Sequence, residues 1–300
     1  MNFFGNHLGE FAALGTAFFW TITSLSFESA SLKIGSLAVN IIRLVIGLTF
    51  LSFYNLITRG FILPVDASCN NWIWLSLSGL VGFVFGDLFL FKSYTIIGSR
   101  FSMLIMTLVP PITTFFSWII LGEKLKLFHF FGMTLTFSGI AMAIFSRNGK
   151  GEKISLKLAP AGILYAIGGA VGQALGLVLS KFGLKGYDPF AATQIRVIAG
   201  IAGFAILVSI MSRWRSIFKA LQNRSGMMST SFGAFFGPFL GVSFSLISVK
   251  YTEAGIASTI MALVPILIIA PAVILYKQKV TFPEIIGAVI SVGGVAVFFL

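Results

Sequence analysis

Apolar runs of about 20 residues follow one another along almost the whole chain, and this feature limits the folds open to it. Of the 300 residues, 57% are hydrophobic and 10% are charged, too few polar residues to coat a water-soluble globule of this size. A helix of about 20 apolar residues crosses a hydrocarbon core roughly 30 Å thick. The sequence therefore predicts an all-α polytopic membrane protein.

Ten transmembrane helices are predicted when the chain is divided at its charged, proline and glycine clusters. The connections are mostly short, so consecutive helices are expected to be antiparallel neighbours. The longest hydrophilic break, 146–157, falls near the middle of the chain and is interpreted as a linker between two halves. The predicted spans are 8–28, 38–58, 72–92, 101–121, 129–146, 158–180, 190–211, 228–249, 256–276 and 283–300.

An internal repeat relates the two halves. The segment "IRLVIG" at Ile42–Gly47 resembles "IRVIAG" at Ile195–Gly200, 153 residues later. We therefore predict two five-helix units, residues 1–150 and 151–300. Because five is an odd number, the second unit must enter the membrane from the opposite face, so the two repeats are inverted. Inverted repeats are typical of secondary transporters, which open a midplane site alternately to each side.

Two prolines occupy equivalent places in the two units. The segment "MTLVP" ends at Pro110, and "MALVP" ends at Pro265, 155 residues later. A proline inside a helix removes a backbone donor and lets the helix bend. In membranes such bends occur where neighbouring helices or a wet cavity satisfy the freed carbonyl groups. Two interpretations stay open: fixed kinks that shape packing, and bends at a functional site.

The charge and the motifs exclude several function classes. The net charge is +12, but the basic residues lie between the apolar runs, where they contact lipid headgroups, so no nucleic-acid partner is predicted. Cys69 has no second cysteine to pair with, His7 and His129 lack a metal-ligand spacing, and no phosphate-binding loop motif occurs. The sequence thus predicts no cofactor, no metal and no enzyme. A membrane-embedded lipid-metabolising enzyme would need a polar catalytic cluster, and a passive channel would need a continuous polar stripe.

Asp87 is the only carboxylate deep inside a predicted span. Burying its charge in hydrocarbon costs several kcal/mol unless the group is paired or wetted. One interpretation is a proton-coupling group or an anchor for a substrate ammonium. The other is a structural role, either an ion pair with Lys92 or Arg43 near one interface or a contact between helices.

Three further charged side chains are predicted as gating or structural charges. Arg43 and Arg196 are equivalent by the repeat and are interpreted first as anchors to lipid headgroups or helix C-terminal carbonyls. The sharper alternative is a clamp for a carboxylate or phosphate. Glu123, followed by lysines after the fourth span, indicates a loop salt bridge or a gate latch.

A mostly apolar pocket with a few polar groups is predicted near the membrane middle. Gln173 occupies the repeat position of Trp20, so the two side chains would lie at symmetric points of one cavity. For the methionines, the alternative is ordinary packing. The predicted substrate-binding residues are Trp20, Ser24, Asp87, Tyr94, Met103, Met106, Thr107, Pro110, Gln173, Phe244, Ser258, Met261 and Pro265.

Glycine pairs recur in the third and eighth spans. Gly82 and Gly86 are repeated as Gly237 and Gly241, again 155 residues later. Two small residues four positions apart let a helix approach its neighbour closely. We expect these two helices to pack tightly or to slide.

Together these motifs resemble the drug/metabolite transporter superfamily, in its ten-helix EamA-like branch. The resemblance covers essentially the whole chain. It rests on Trp20, on the paired arginines, on the stretch 86–125 that begins "GDLFLFKSYTIIGS", and on "LGEK" at Leu121–Lys124 followed by "GMTLTFSGIAM". It implies a carrier for small organic molecules, frequently an exporter of amino acids or related metabolites.

The expected function is therefore alternating-access transport of an amino acid or a similar zwitterion across the bacterial inner membrane, with protons as one option for the coupling ion. A broader efflux carrier for amphipathic cations is the alternative. One chain makes a complete cavity, so a monomer suffices and a dimer stays open. Loop Lys and Arg residues favour external termini, whereas the resemblance implies cytoplasmic termini, and the sidedness is left open.

Overall fold

Helices form the framework of the part of the chain that the computed structural model describes, residues 3–124, 126–146, 159–269, 271 and 282–297. Almost all of the predicted linker 146–157 lies outside the described residues, as do residue 158 and the ends of the ninth and tenth predicted spans. A short helix, Trp214–Leu221, lies between the helices Pro189–Ile210 and Arg224–Tyr251. The main helices are α1 (Leu8–Ile34), α2 (Ser36–Arg59), α3 (Cys69–Ser99), α4 (Met106–Leu121), α5 (Leu127–Ser146), α6 (Pro160–Leu184), α7 (Pro189–Ile210), α8 (Arg224–Tyr251), α9 (Ala254–Leu267) and α10 (Phe282–Ala296).

Six of the ten predicted spans are confirmed as helices long and apolar enough to cross a membrane, namely α1, α2, α3, α6, α7 and α8. The other four predicted spans fall on shorter apolar helices, α4, α5, α9 and α10. For these four, a full crossing stays a prediction. The described helices fit a polytopic membrane protein.

Local sequence signals fix several helix ends. Ser68 and Asn71 form a reciprocal capping box at the start of α3, where the Asn71 N–H donates to the Ser68 hydroxyl at 3.2 Å. The Asp188 carboxylate accepts a hydrogen bond from the Ala191 N–H at 2.9 Å and so caps α7. Gly60 ends α2 at a φ of 74°, a left-handed conformation that glycine adopts without strain. These contacts set where the chain leaves and re-enters the bundle.

The two halves of the bundle pack in a reciprocal pattern. Helix α1 packs on α8 and α9, and its counterpart α6 packs on α3 and α4. Helix α2 packs on its own counterpart α7, and α5 packs on α10. The contacts of one half are thus matched by those of the other, as expected for two similar units.

Glycines bring α3 and α6 close together. A Cβ atom on Gly176 would lie 2.8 Å from the Gly82 Cα, and one on Gly172 would lie 2.8 Å from the Gly86 nitrogen. Contacts this short leave no room for a methyl group. The tight packing predicted for α3 is therefore confirmed, and its partner is α6. The equivalent glycines of α8 contact side chains of α1.

Wider, π-helical turns interrupt α3 and α8 at equivalent places, Leu80–Asp87 and Phe235–Gly241. Such turns are rare, and they occur frequently at functional sites. They contain the two glycine pairs, and the turn in α3 ends at Asp87. They were not predicted from the sequence.

Both proline-containing helices break at equivalent places, as the repeat predicted. In α4 a 3₁₀ turn, Met106–Leu108, precedes the α-helical segment Val109–Leu121. In α9 the segment Ala254–Met261 ends before a new helical turn begins at Val264–Leu267. Each proline is the second residue of its new segment, where the missing N–H costs no intrahelical hydrogen bond. The two breaks face one cavity.

Candidate functional site

A cavity of about 110 Å³ lies between the two halves, beside the breaks in α4 and α9. Helices α1 to α4 and α6 to α9 contribute to its wall, together with Met103, which precedes α4. Aromatic rings and methionines make most of the surface, and a few polar groups converge on it. Among the described residues, no group of three His, Cys, Asp or Glu side chains could hold a metal ion. An apolar cavity with a few placed polar groups is the usual form of a small-molecule site.

Most residues predicted to bind substrate line this cavity. Both paired arginines, Arg43 and Arg196, line it as well. A direct contact with substrate stays a prediction for each of them. The ten predicted substrate-binding residues in the wall are Trp20, Asp87, Tyr94, Met103, Met106, Thr107, Gln173, Ser258, Met261 and Pro265.

Three residues predicted to bind substrate lie outside the wall. The Ser24 hydroxyl donates to the Thr21 carbonyl oxygen of its own helix at 2.9 Å. The Phe244 ring packs edge-to-face on Phe19, with 5.2 Å between the ring centroids. Pro110 is buried behind the wall of the cavity. For these three side chains the structure supports a packing role in place of the predicted substrate contact.

Asp87 lies at the centre of a buried cluster. It is 5% exposed, and one carboxylate oxygen forms an ion pair with Arg43. The other oxygen accepts a hydrogen bond from the Gln173 Nε2 at 2.5 Å, and Gln173 also donates to the Gly82 carbonyl at 3.3 Å. Of the two ion-pair partners that the sequence left open, the structure selects Arg43, because Lys92 is exposed. The cluster joins α2 and α3 of the first half to α6 of the second.

Asn40 and aromatic rings hold the Arg43 side chain. The Arg43 Nη2 donates to the Asn40 Oδ1 at 3.1 Å, and the Asn40 Nδ2 donates to the Asp87 backbone oxygen at 3.2 Å. The rings of Phe27 and Phe91 lie 5.5 and 4.7 Å from the guanidinium carbon, within cation–π range. Arg43 is 3% exposed. The expected anchor to lipid headgroups is therefore wrong for Arg43, because its charge is bound inside the protein.

Arg196, the repeat counterpart of Arg43, is also buried in the cavity wall, with 4% of its surface exposed. Its guanidinium carbon lies 5.0 Å from the centre of the Phe83 ring. It forms no hydrogen bond and no ion pair with any residue that the structure describes, and its Nε is fully covered. The anchor to lipid headgroups is wrong here as well, because the side chain is buried, and the clamp interpretation stays open.

Glu123 ties three helices together at one end of the bundle. Its carboxylate pairs with the Lys181 Nζ at 2.5 Å and accepts a hydrogen bond from the Ala254 N–H at 3.0 Å. Lys181 also donates to the Thr252 carbonyl oxygen at 2.7 Å. The end of α4 is thereby linked to α6 and to the start of α9. This contact fits both interpretations of Glu123, a salt bridge or a gate latch.

We expect Glu123→Gln to open the cavity more often and to lower the free energy of unfolding by about 1 kcal/mol, since the ion pair and part of the helix cap are lost. The readout is the rate at which maleimide labels a cysteine placed at Ser258, in a Cys69→Ser background. Glu253→Gln is the matched control, because the Glu253 side chain makes no capping bond. Equal labelling rates in the two variants would leave Glu123 a purely structural role.

Part of the cavity wall was not predicted from the sequence. Thr23 and Phe27 of α1 line it, and so do Phe83, Leu90 and Phe91 of α3. These residues fall at helical spacing from the predicted positions 20, 87 and 94, so they share one face of each helix. Helical periodicity applied around the predicted residues would have found them.

Apolar helices that enclose a cavity between two similar halves are typical of membrane transporters. The chain belongs to the EamA-like transporter family, within the drug/metabolite transporter superfamily. The family model matches residues 7–145 and matches again at 160–300, one repeat in each half. The resemblance seen in the sequence is thereby confirmed. The protein is a multi-pass integral membrane transporter and not an enzyme.

The chain is also similar to a curated relative and to a protein of known structure. The uncharacterized transporter YvbV of Bacillus subtilis (strain 168) is 27% identical over 184 residues, which span 61% of this chain and 57% of that relative. A protein of known crystal structure is similar over 98% of this chain and 96% of its own, with a TM-score of 0.73 at 17% sequence identity. At that level of identity, the structural likeness concerns the fold alone.

Proposed function

We propose that this transporter is a secondary active carrier that moves small organic metabolites, with amino acids as the first class of substrate. In this proposal the two repeats are inverted five-helix units that exchange conformations and so open the cavity alternately to each side. The reciprocal helix packing and the equivalent breaks in α4 and α9 support it. We propose net export across the bacterial inner membrane, as the family resemblance implies.

The cluster around Asp87 is the observation that carries the proposal. Asp87 is buried, and its partners Arg43 and Gln173 come from different halves of the chain. Protonation would remove the charge that holds both partners, so the contact between α3 and α6 would weaken. A proton gradient could then drive the exchange between the two conformations, since intramembrane carboxylates commonly serve as proton relays.

The size of the cavity favours a small substrate over the alternative class of amphipathic cations. Its volume of about 110 Å³ is below the range of roughly 300–1,000 Å³ that is typical of sites for drug-sized ligands. The buried Arg196 cation would also repel a cationic substrate. The cavity wall comes from one chain, so we propose that a monomer suffices for transport.

Uptake into proteoliposomes that contain the purified protein tests this proposal. The substrates are radiolabelled amino acids, with tetraphenylphosphonium as the amphipathic cation, each with and without an imposed pH gradient. We expect saturable amino-acid uptake that the gradient accelerates, compared with protein-free liposomes. Transport of the cation without any amino acid would contradict the proposal and support the alternative.

A further inference from the structure

The charged side chains of the cavity wall do not balance. Arg43 and Asp87 form a buried ion pair, so their charges cancel. Arg196 adds a second buried cation. Among the described residues that line the cavity, Asp87 is the only carboxylate. The described part of the wall therefore carries one net positive charge, and Arg196 is its source.

The Arg196 guanidinium has no hydrogen-bond acceptor among the residues that the structure describes. It offers five N–H donors, and none of them bonds to a residue that the structure describes. Within the described part of the chain, its favourable electrostatic contacts are the Phe83 ring at 5.0 Å and the longer-range attraction of Asp87. A buried cation without acceptors carries an uncompensated desolvation cost. A ligand that supplies anionic oxygens would remove that cost.

Glycine lets α3 approach this guanidinium through its backbone. A Cβ atom on Gly82 would lie 3.2 Å from the Arg196 Nη2, close enough to press on the side chain. Gly82 belongs to the π-helical turn that ends at Asp87, and its carbonyl oxygen accepts the hydrogen bond from Gln173. The turn that places Asp87 therefore also leaves space beside Arg196.

We propose that Arg196 is the substrate-recognition residue of this cavity and binds a carboxylate of the transported metabolite. The inference rests on the proposed function and defines its substrate class as monocarboxylates with an apolar body, which the aromatic rings of the wall contact. A planar guanidinium donates two parallel N–H···O bonds to a carboxylate. One carboxylate also balances the single net charge of the wall, whereas a dianionic phosphate ester would leave an excess negative charge.

Ligand binding to the purified protein tests the assignment through thermal unfolding. A compound that binds only the folded protein raises Tm as its concentration rises. One set of probes is L-phenylalanine, L-phenylalaninamide, 3-phenylpropanoate and 2-phenylethylamine. The second set is L-leucine, L-leucinamide, 4-methylpentanoate and 3-methylbutylamine, and phenyl phosphate represents the dianions. We expect the carboxylates to raise Tm and the amides and amines to leave it unchanged.

Three variants separate recognition from folding. Arg196→Gln is expected to lose the carboxylate-dependent shift, and its Tm without ligand should equal or exceed that of the wild type, because an unpaired buried charge is removed. A structural Arg196 would instead lower that Tm. Arg196→Lys keeps the charge but loses the two parallel bonds, so we expect affinity about tenfold weaker. Arg215→Gln makes the same change at an exposed residue of the short helix and serves as the control.

Several results would overturn the assignment of Arg196. One is a Tm shift with carboxylates that is unchanged in Arg196→Gln, and another is an equal Tm shift with the acids and the amides. A larger Tm shift with phenyl phosphate than with the carboxylates, or no Tm shift with any carboxylate, would also overturn it. Different results would refute the role of Arg196 and the proposal of amino-acid transport. Binding of the compounds that carry an amino group, without binding of 3-phenylpropanoate or 4-methylpentanoate, would refute the role of Arg196. It would leave the proposed transport of substrates with an amino group in place. Binding of 3-phenylpropanoate without either amino acid would support Arg196 and refute the amino-acid proposal.

Discussion

Asparagine in place of Asp87 is expected to abolish uptake driven by a pH gradient. An amide side chain does not take up or release a proton near neutral pH, so the proposed coupling step is lost. The substitution also leaves Arg43 as an unpaired buried cation, and removal of one partner of a buried ion pair typically costs about 3–5 kcal/mol. We therefore expect a lower Tm together with the loss of gradient-driven uptake in proteoliposomes.

A double variant distinguishes the loss of coupling from the loss of stability. Arg43→Gln combined with Asp87→Asn removes both charges, so Tm should return towards the wild-type value while coupling stays lost. Asp66→Asn is the control, because Asp66 is paired with Arg59 outside the cavity. Gradient-driven uptake at the wild-type rate in Asp87→Asn would reduce Asp87 to a structural ion pair.

Leucine at Gly86 or Gly241 is expected to abolish transport even where folded protein survives. A Cβ atom on Gly86 would lie 3.2 Å from the Gln173 backbone nitrogen, and one on Gly241 would lie 2.9 Å from the Trp20 indole nitrogen. A leucine side chain would separate α3 from α6, or α8 from α1, at the cavity wall. Uptake in proteoliposomes and elution on size exclusion measure function and folding separately.

Gly293→Leu is the matched control for these two variants. Gly293 lies in α10, and a Cβ atom there meets no atom within 4 Å. The same substitution at this position should leave uptake close to that of the wild type. If Gly86→Leu or Gly241→Leu transports as well as Gly293→Leu, close approach of the helices at the cavity is not required for transport.

The internal repeat made one part of the site predictable. Trp20 and Gln173 occupy equivalent positions in the two halves, and both line the cavity, as do Met106 and Met261. Residues at equivalent positions of two similar units fall on corresponding helix faces, so periodicity and repeat position locate them together. The breaks before the prolines were predictable for a simpler reason, because proline disturbs a helix through its own covalent structure.

The partners of the charged groups were not predictable from the same signals. The ion-pair partner of Asp87 depends on how α3 is rotated, and a π-helical turn that the sequence does not reveal ends at Asp87. Spacing from Trp20 predicted that Ser24 faces the cavity, but its hydroxyl bonds to a carbonyl of its own helix. The depth of Arg43 was misjudged because a predicted span boundary says nothing about tertiary contacts.

Chemical closure of the cavity tests most directly the claim that this cavity is the transport site. The measurement is exchange of radiolabelled leucine and phenylalanine in proteoliposomes, before and after N-ethylmaleimide reacts with a cysteine placed at Ser258 in the Cys69→Ser background. Ser258 lines the cavity, so labelling should abolish exchange, and excess substrate should slow the labelling. Exchange that continues at the same rate after complete labelling would show that substrate crosses by another route.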